Sequence, residues 1–178
     1  MPCGVDEKFE NLAGGELMLA ALIVSVLLIF DQVTKYLAQV HLKPSIREIE
    51  IINGVFSFVY VENKGAAFGI LQNQRWLFLL ITIPAIVVIV YLLYKCKPKL
   101  IVKVALAMIL SGAIGNNIID RIFLGYVRDF LYFKLIDFPI FNIADAAISV
   151  GATILITVII FGKGKQLFKT TKPKIEDV

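Results

Sequence analysis

Histidine is almost missing from this chain of 178 residues: His41 is the only one. Cysteine is nearly as scarce, with Cys3 and Cys96 alone. Metal centres draw on clusters of His, Cys, Asp and Glu at short spacings. The sequence has no such cluster, and no metal or cofactor is expected. It also has no Ser–His or Cys–His arrangement for nucleophilic catalysis. His41, alone behind a hydrophobic block, reads as an interfacial polar group. Cys96 lies between Lys95 and Lys97 in a predicted cytoplasmic loop, which argues against a disulfide. Charge is thin as well: Asp, Glu, Lys and Arg make up 18% of the chain, against 58% hydrophobic residues. The first hydrophobic block has no basic flank before it and no small-x-small site after it, so it does not read as a cleaved leader.

What fills the space is hydrophobic sequence in blocks. Mean hydropathy is +0.82, more apolar surface than an ordinary soluble domain needs. A bilayer crossing takes about 20 residues of helix, and four blocks approach that length. They are Leu17 to Phe30, continuing past Asp31 to about Val40; Trp76 to Tyr94; Leu100 to Ile119; and Ile140 to Phe161. The expected fold is an all-α polytopic membrane protein of four transmembrane helices with a small extracytoplasmic β-sheet.

The lysines set the expected orientation, because cytoplasmic flanks are enriched in Lys and Arg. Lys95, Lys97, Lys99 and Lys103 lie around the link between blocks two and three. Lys163, Lys165, Lys169, Lys172 and Lys174 follow block four. Both stretches are expected in the cytoplasm, as are both termini. The connections 31–75 and 120–139 then lie outside. The net charge of +4 is thus mostly a topology signal. A nucleic-acid partner would need a folded basic face and is not expected.

Residues 1–16 read as a polar tail, 17–162 as the membrane domain and 163–178 as a basic cytoplasmic tail. The β-rich part falls at about 44–75. Glu48-Ile49-Glu50-Ile51 alternates with period two, Asn53-Gly54 is a strong hairpin turn, and Val55 to Val61 supplies a second strand. Asn63-Lys64-Gly65-Ala66-Ala67-Phe68-Gly69 is small enough for close packing against a span or a substrate. Pro84 predicts a kink in the second span. The aromatic segment 121–139 is expected to lie along the membrane interface.

The polar residues at the span ends carry the functional signal. Asp31, Gln32, Thr34 and Lys35 sit at the outer end of span one. Asn116, Asn117, Asp120 and Arg121 end span three. Asn142 and Asp145 open span four, while Asn63 and Asp129 lie on outer connections. All fall on one leaflet, and charged groups at membrane depth are costly enough to mark function. Asp31–Lys35 and Asn117–Arg121 are four apart and Asn142–Asp145 three apart, spacings that share a helix face. Asp31–Lys35 fits a helix-end ion pair or a site-ordering role. Asp120 and Arg121 fit an interfacial pair, or an arginine that orders its neighbour. On this chemistry alone, an aspartic protease, a small ion-coupled transporter and a non-catalytic assembly subunit all remain open.

Five motifs in this order narrow the choice: Asp31-Gln32-Val33-Thr34-Lys35, Asn63-x-Gly65-Ala66-Ala67-Phe68-Gly69, Asn117-x-x-Asp120-Arg121, Val127-x-Asp129-Phe130 and Phe141-Asn142-Ile143-Ala144-Asp145. Over about residues 17–162 the pattern resembles the bacterial lipoprotein signal peptidases (signal peptidase II). The resemblance implies an intramembrane aspartic endopeptidase of the bacterial cytoplasmic membrane, working near the extracytoplasmic leaflet as a monomer. Its partners would be membrane lipid and diacylglyceryl-modified prolipoproteins, cut just before the lipidated cysteine. The matching catalytic pair is Asp129 and Asp145. Asp31, Lys35, Asn63, Gly65, Asn117, Asp120, Arg121 and Asn142 match residues that support the pair or the substrate. Two positions depart from the pattern. Asn116 stands where glycine is more usual, which leaves open which asparagine serves the site. Arg128 stands where an apolar residue is more usual, and a cation beside Asp129 is expected to lower its pKa.

Overall fold

The computed structural model describes residues 7–43, 48–66, 70–96 and 98–161. Expectations for residues 1–6, for Ala67-Phe68-Gly69 and for the basic tail beyond 161 lie outside the described residues. The elements run α1 (Glu7–His41), β1 (Ile49–Ile52), β2 (Phe56–Asn63), α2 (Arg75–Lys95) and α3 (Leu100–Ala113). A π-helical segment (Ile114–Asp120) and the short α4 (Arg121–Phe123) continue α3. Then come β3 (Val127–Phe133), a 3-10 turn (Lys134–Ile136) and α5 (Ile143–Phe161). Helix α1 begins at Glu7, so part of the segment read as a polar tail has helical backbone.

Among the described residues, four helices are long and apolar enough to cross a membrane: Leu17–His41, Arg75–Tyr94, Leu100–Phe123 and Ile143–Phe161. The third is the central one, with 61% of its apolar window buried against 11–22% for the others. Val102, Leu106, Ala107 and Leu110 of α3 meet Ala20 of α1 and Ile89 and Leu93 of α2 in one cluster. Helices in lipid gain little from the hydrophobic effect, so close packing of small residues joins them. Gly151 of α5 shows this: a Cβ there would lie 2.7 Å from the carbonyl oxygen of Ala105. Helix α2 continues through Pro84.

The hairpin forms where the sequence places it. Gly54 takes φ +68° in the turn, a conformation that favours glycine, and β1 pairs antiparallel with β2. Strand β3 was not expected. It pairs antiparallel with β2 and completes a sheet in the order β1-β2-β3. Its first four residues, Val127 to Phe130, are all buried. A strand covered on both faces shows no period-two alternation, and without it the stretch reads as an aromatic interfacial loop.

One irregularity in this sheet positions the site. Phe58 pairs with Leu131, whereas Val61 pairs with Asp129, so β2 carries one extra residue between them. Continuing the first register would leave Asn63 on the face opposite Asp129. The extra residue returns Asn63 to the Asp129 face, because side chains alternate with period two.

Candidate active site

The start of α5 is built by Asn142 and Asp145. The Asn142 carbonyl accepts from Ala146 N at 3.2 Å, the first turn of the helix. Asn142 Oδ1 accepts from Asp145 N at 3.0 Å, and Asp145 Oδ2 accepts from Asn142 N at 3.1 Å. This is a reciprocal capping box with an aspartate in the usual glutamate position. The spare Nδ2 of Asn142 then donates to Asp129 Oδ1 at 2.6 Å. One residue therefore links the carboxylate of a strand, through its side-chain Nδ2, to the carboxylate of a helix, through its backbone N.

Each aspartate has a second amide. Asn63 Nδ2 donates to Asp129 Oδ2 at 2.9 Å, across the diagonal that the β2 bulge creates. Asn116 Nδ2 donates to Asp145 Oδ1 at 2.7 Å, while its Oδ1 accepts from Asn142 Nδ2 at 3.1 Å and from Lys35 Nζ at 2.6 Å. Both aspartates line one cavity of about 410 Å³. Asn63, Gly65, Arg121, Phe141, Ile148 and Val150 also line it.

Asp129 is 2% exposed. Burial first, and then the neighbouring Asp145 charge, push its carboxyl up to about 7. The hydrogen bonds from Asn63 and Asn142 oppose the rise. The lowering expected from Arg128 does not occur. Alternation along β3 sends the Arg128 side chain to the other face, where it meets Asp120 at 2.6 Å and Gln32 at 2.7 Å.

Behind the pair lies a buried network of four charges. Lys35 Nζ contacts Asp31 at 2.8 Å and Asp120 at 3.2 Å. Arg128 supplies the second cation, and its backbone N also donates to Asp120 Oδ2 at 3.1 Å. Asp31, Lys35 and Asp120 are each 1% exposed or less. Two negative and two positive groups balance, as charges out of water require. Asp31 Oδ1 also accepts from Ala144 N at 2.9 Å, in the first turn of α5. A carboxylate there matches the positive end of the helix dipole. The network thus ties α1, the third span and β3 to the start of α5.

A comparison with protein families matches residues 23–161 to the model described as signal peptidase (SPase) II. The chain belongs to the signal peptidase II family. Its curated relatives agree. The lipoprotein signal peptidase of Caldanaerobacter subterraneus subsp. tengcongensis is 47% identical over 147 residues, covering 82% of this chain and 99% of that one. That of Clostridioides difficile is 40% identical over 149 residues, covering 84% and 99%. Among solved structures, a bacterial membrane enzyme determined by the in meso method at 2.3 Å superposes with a TM-score of 0.76. It is 34% identical, with 86% of this chain and 94% of that chain covered. This signal peptidase II homologue is therefore a multi-pass membrane protein and a hydrolase of peptide bonds. Membership of this peptidase family sets the transporter and assembly-subunit readings aside.

Within this signal peptidase fold, Asp129, Asp145, Asn63, Gly65 and Arg121 come together around one cavity, and Asn142 bonds both aspartates without lining it. Gly65 is held twice: its N donates to Asn63 Oδ1 at 2.9 Å, and its carbonyl accepts from Arg121 Nη2 at 2.6 Å. Asp31, Lys35 and Asp120 stand one layer behind. Asn117 does not reach either aspartate; it accepts from Arg121 Nε at 2.9 Å. Asn116, the departure from the motif, is the asparagine that touches Asp145. The π-helical turn fixes this choice, with Arg121 N bonded back to Asn116 O, five residues earlier. Asp120 and Arg121 do not pair. Consecutive helical side chains diverge by about 100°, so Asp120 turns to Lys35 and Arg128 while Arg121 turns to Asn117 and Gly65. Gln32 and Arg128 went unrecognised as network members, although Gln32 lies inside the first motif.

Proposed function

We propose that this chain removes the signal peptide from diacylglyceryl-modified prolipoproteins, cutting before the lipidated cysteine, with Asp129 and Asp145 as the catalytic pair. The observation that carries this reading is that one residue, Asn142, bonds both carboxylates, Asp129 through its side-chain Nδ2 and Asp145 through its backbone N, while the two aspartates line a single cavity. Two carboxylates that line one cavity and bond one residue share one proton between them. The ionised carboxylate takes a proton from a water, whose oxygen attacks the scissile carbonyl carbon. The protonated carboxyl gives its hydrogen to the carbonyl oxygen. As the C–N bond breaks, the newly protonated carboxyl gives its proton to the leaving amine while a hydroxyl of the tetrahedral diol returns one to the other carboxylate as the carbonyl re-forms, so the pair again holds one. Asn63, Asn116 and Asn142 hold the carboxylates, while Arg121 and Gly65 form the wall that receives the peptide. The lysine-rich stretches support cytoplasmic termini and a site near the extracytoplasmic leaflet. Lipid chains of the substrate then stay in the bilayer during cleavage.

The test is Asp129→Asn and Asp145→Asn, each reconstituted and assayed on a lipidated prolipoprotein. Each is expected to lose roughly 10³-fold or more, the scale of losing an essential acid–base group. Processing at the wild-type rate by either correctly inserted variant sinks the assignment.

A further inference from the structure

Helix α2 borders a second groove, which the aspartate pair does not use. It has a volume of about 380 Å³ and is lined by Arg75, Trp76, Leu79, Leu80 and Ile83 of α2, closed by Arg121 and Ile122. The α2 residues form one stripe at helical spacing, and from Arg75 to Ile83 it descends about 12 Å at 1.5 Å per residue. Leu79 is the buried floor; Trp76, Leu80 and Ile83 are exposed.

The head of this apolar stripe is cationic. Arg75 is exposed at the first residue of α2, its guanidinium 4.7 Å from the centroid of the Trp76 ring. Arg121 stands behind it. Its Nε and Nη2 bond the neutral Asn117 amide and the Gly65 carbonyl, and its guanidinium lies 4.0 Å from the Phe78 ring centroid. Its Nη1 has no hydrogen-bond partner among the described residues. The sequence holds no carboxylate between Glu62 and Asp120, and among the described residues none lines the groove.

We propose that this groove binds an anionic phospholipid of the surrounding bilayer. The phosphate sits at Arg75 with the charge of Arg121 behind it, and an acyl chain follows Leu79, Leu80 and Ile83. A groove with cations at its head and no acid selects against neutral and zwitterionic headgroups. Its apolar floor, on the flank of a membrane-spanning helix, selects a lipid over a free anion. Arg121 also lines the cavity of the aspartate pair, so the lipid lies one side chain from that site.

Trp76 is the only tryptophan in the chain, and it lines the groove, so its fluorescence reports occupancy. The protein is placed in phosphatidylcholine bilayers, with either brominated phosphatidylglycerol or brominated phosphatidylcholine added at equal mole fraction. Bromines on the acyl chain quench a tryptophan they touch. The expected result is a roughly five-fold preference for phosphatidylglycerol, the scale of one arginine at a membrane surface, weakening as salt rises. Arg75→Gln is expected to bring the ratio to about one. Equal quenching by the two lipids in the wild type overturns the proposal, as does a preference that survives Arg75→Gln. Inorganic phosphate, exchanged for chloride at constant ionic strength, is expected to leave the ratio unchanged. Loss of the preference in phosphate would instead identify a free-anion site and overturn the lipid assignment.

Discussion

Asn142 Nδ2 lies 2.6 Å from Asp129 Oδ1, although Asn142 caps a helix and Asp129 belongs to a strand. The same side chain starts α5 by accepting from Asp145 N. These two duties separate by substitution. Asn142→Ser retains an N-cap but does not reach Asp129. It is expected to stay within about 0.5 kcal/mol of wild-type stability while kcat falls at least roughly ten-fold. Asn142→Ala is expected to lose both, with a stability cost of about 1–2 kcal/mol. Wild-type kcat in the serine variant would reduce Asn142 to a cap.

Asp129 makes stability depend on pH. Its folded pKa of about 7 exceeds an unfolded value of about 3.9. Between these values the folded state holds a proton that the unfolded state has lost, so stability falls as pH rises. The size is up to roughly 4 kcal/mol, about three units at 1.36 kcal/mol each. Asp129→Asn removes this contribution. Thermal unfolding across pH 5 to 8 is expected to show a shallower loss in the variant than in the wild type. Parallel slopes would show that another group titrates.

Asn116 and Asn117 are neighbours with different partners. Among the described residues, Asn116 joins Lys35, Asp145 and Asn142, whereas Asn117 joins Arg121. Asn116→Ala is expected to lower kcat roughly 10²-fold, the scale of disturbing a positioned acid–base group. Asn117→Ala acts through Arg121 and the cavity wall, so its main effect is expected on KM. Steady-state kinetics of the two variants decide, and the reverse order would reject the structural assignment.

Arg128 anchors β3 to the helices through Asp120. Removing it leaves a fully buried carboxylate with, among the described residues, Lys35 as its remaining cation, and that cation is shared with Asp31. Arg128→Leu is expected to cost about 3–5 kcal/mol, the range for breaking a buried pair. Adding Asp120→Asn removes the stranded charge and is expected to recover at least half. Chemical unfolding of the single and double variants measures both, and a double variant no more stable than the single would refute this account.

Much of the fold was legible because its signals are local. Charge-poor blocks near 20 residues long give the spans, and Asn53-Gly54 between two strand-forming runs gives the hairpin. The paired spacings held for the same reason. Asp31 meets Lys35, Asn117 meets Arg121 and Asn142 meets Asp145, because helix geometry within one segment sets those distances. Strand β3 was not legible, since burial on both faces erases the alternation that marks a strand. Asp129 therefore reads as a loop residue, although the sheet holds it rigidly in register.

The sequence by itself determined which polar residues stand at the span ends and which share a helix face. The tertiary structure alone decided which of them meet across segments. A one-residue bulge in β2 brings Asn63 to Asp129, and a π-helical turn brings Asn116, not Asn117, to Asp145. Strand alternation then sends Arg128 away from the aspartate beside it. In each case a rotation of the backbone chooses the face, and packing against distant segments fixes that rotation.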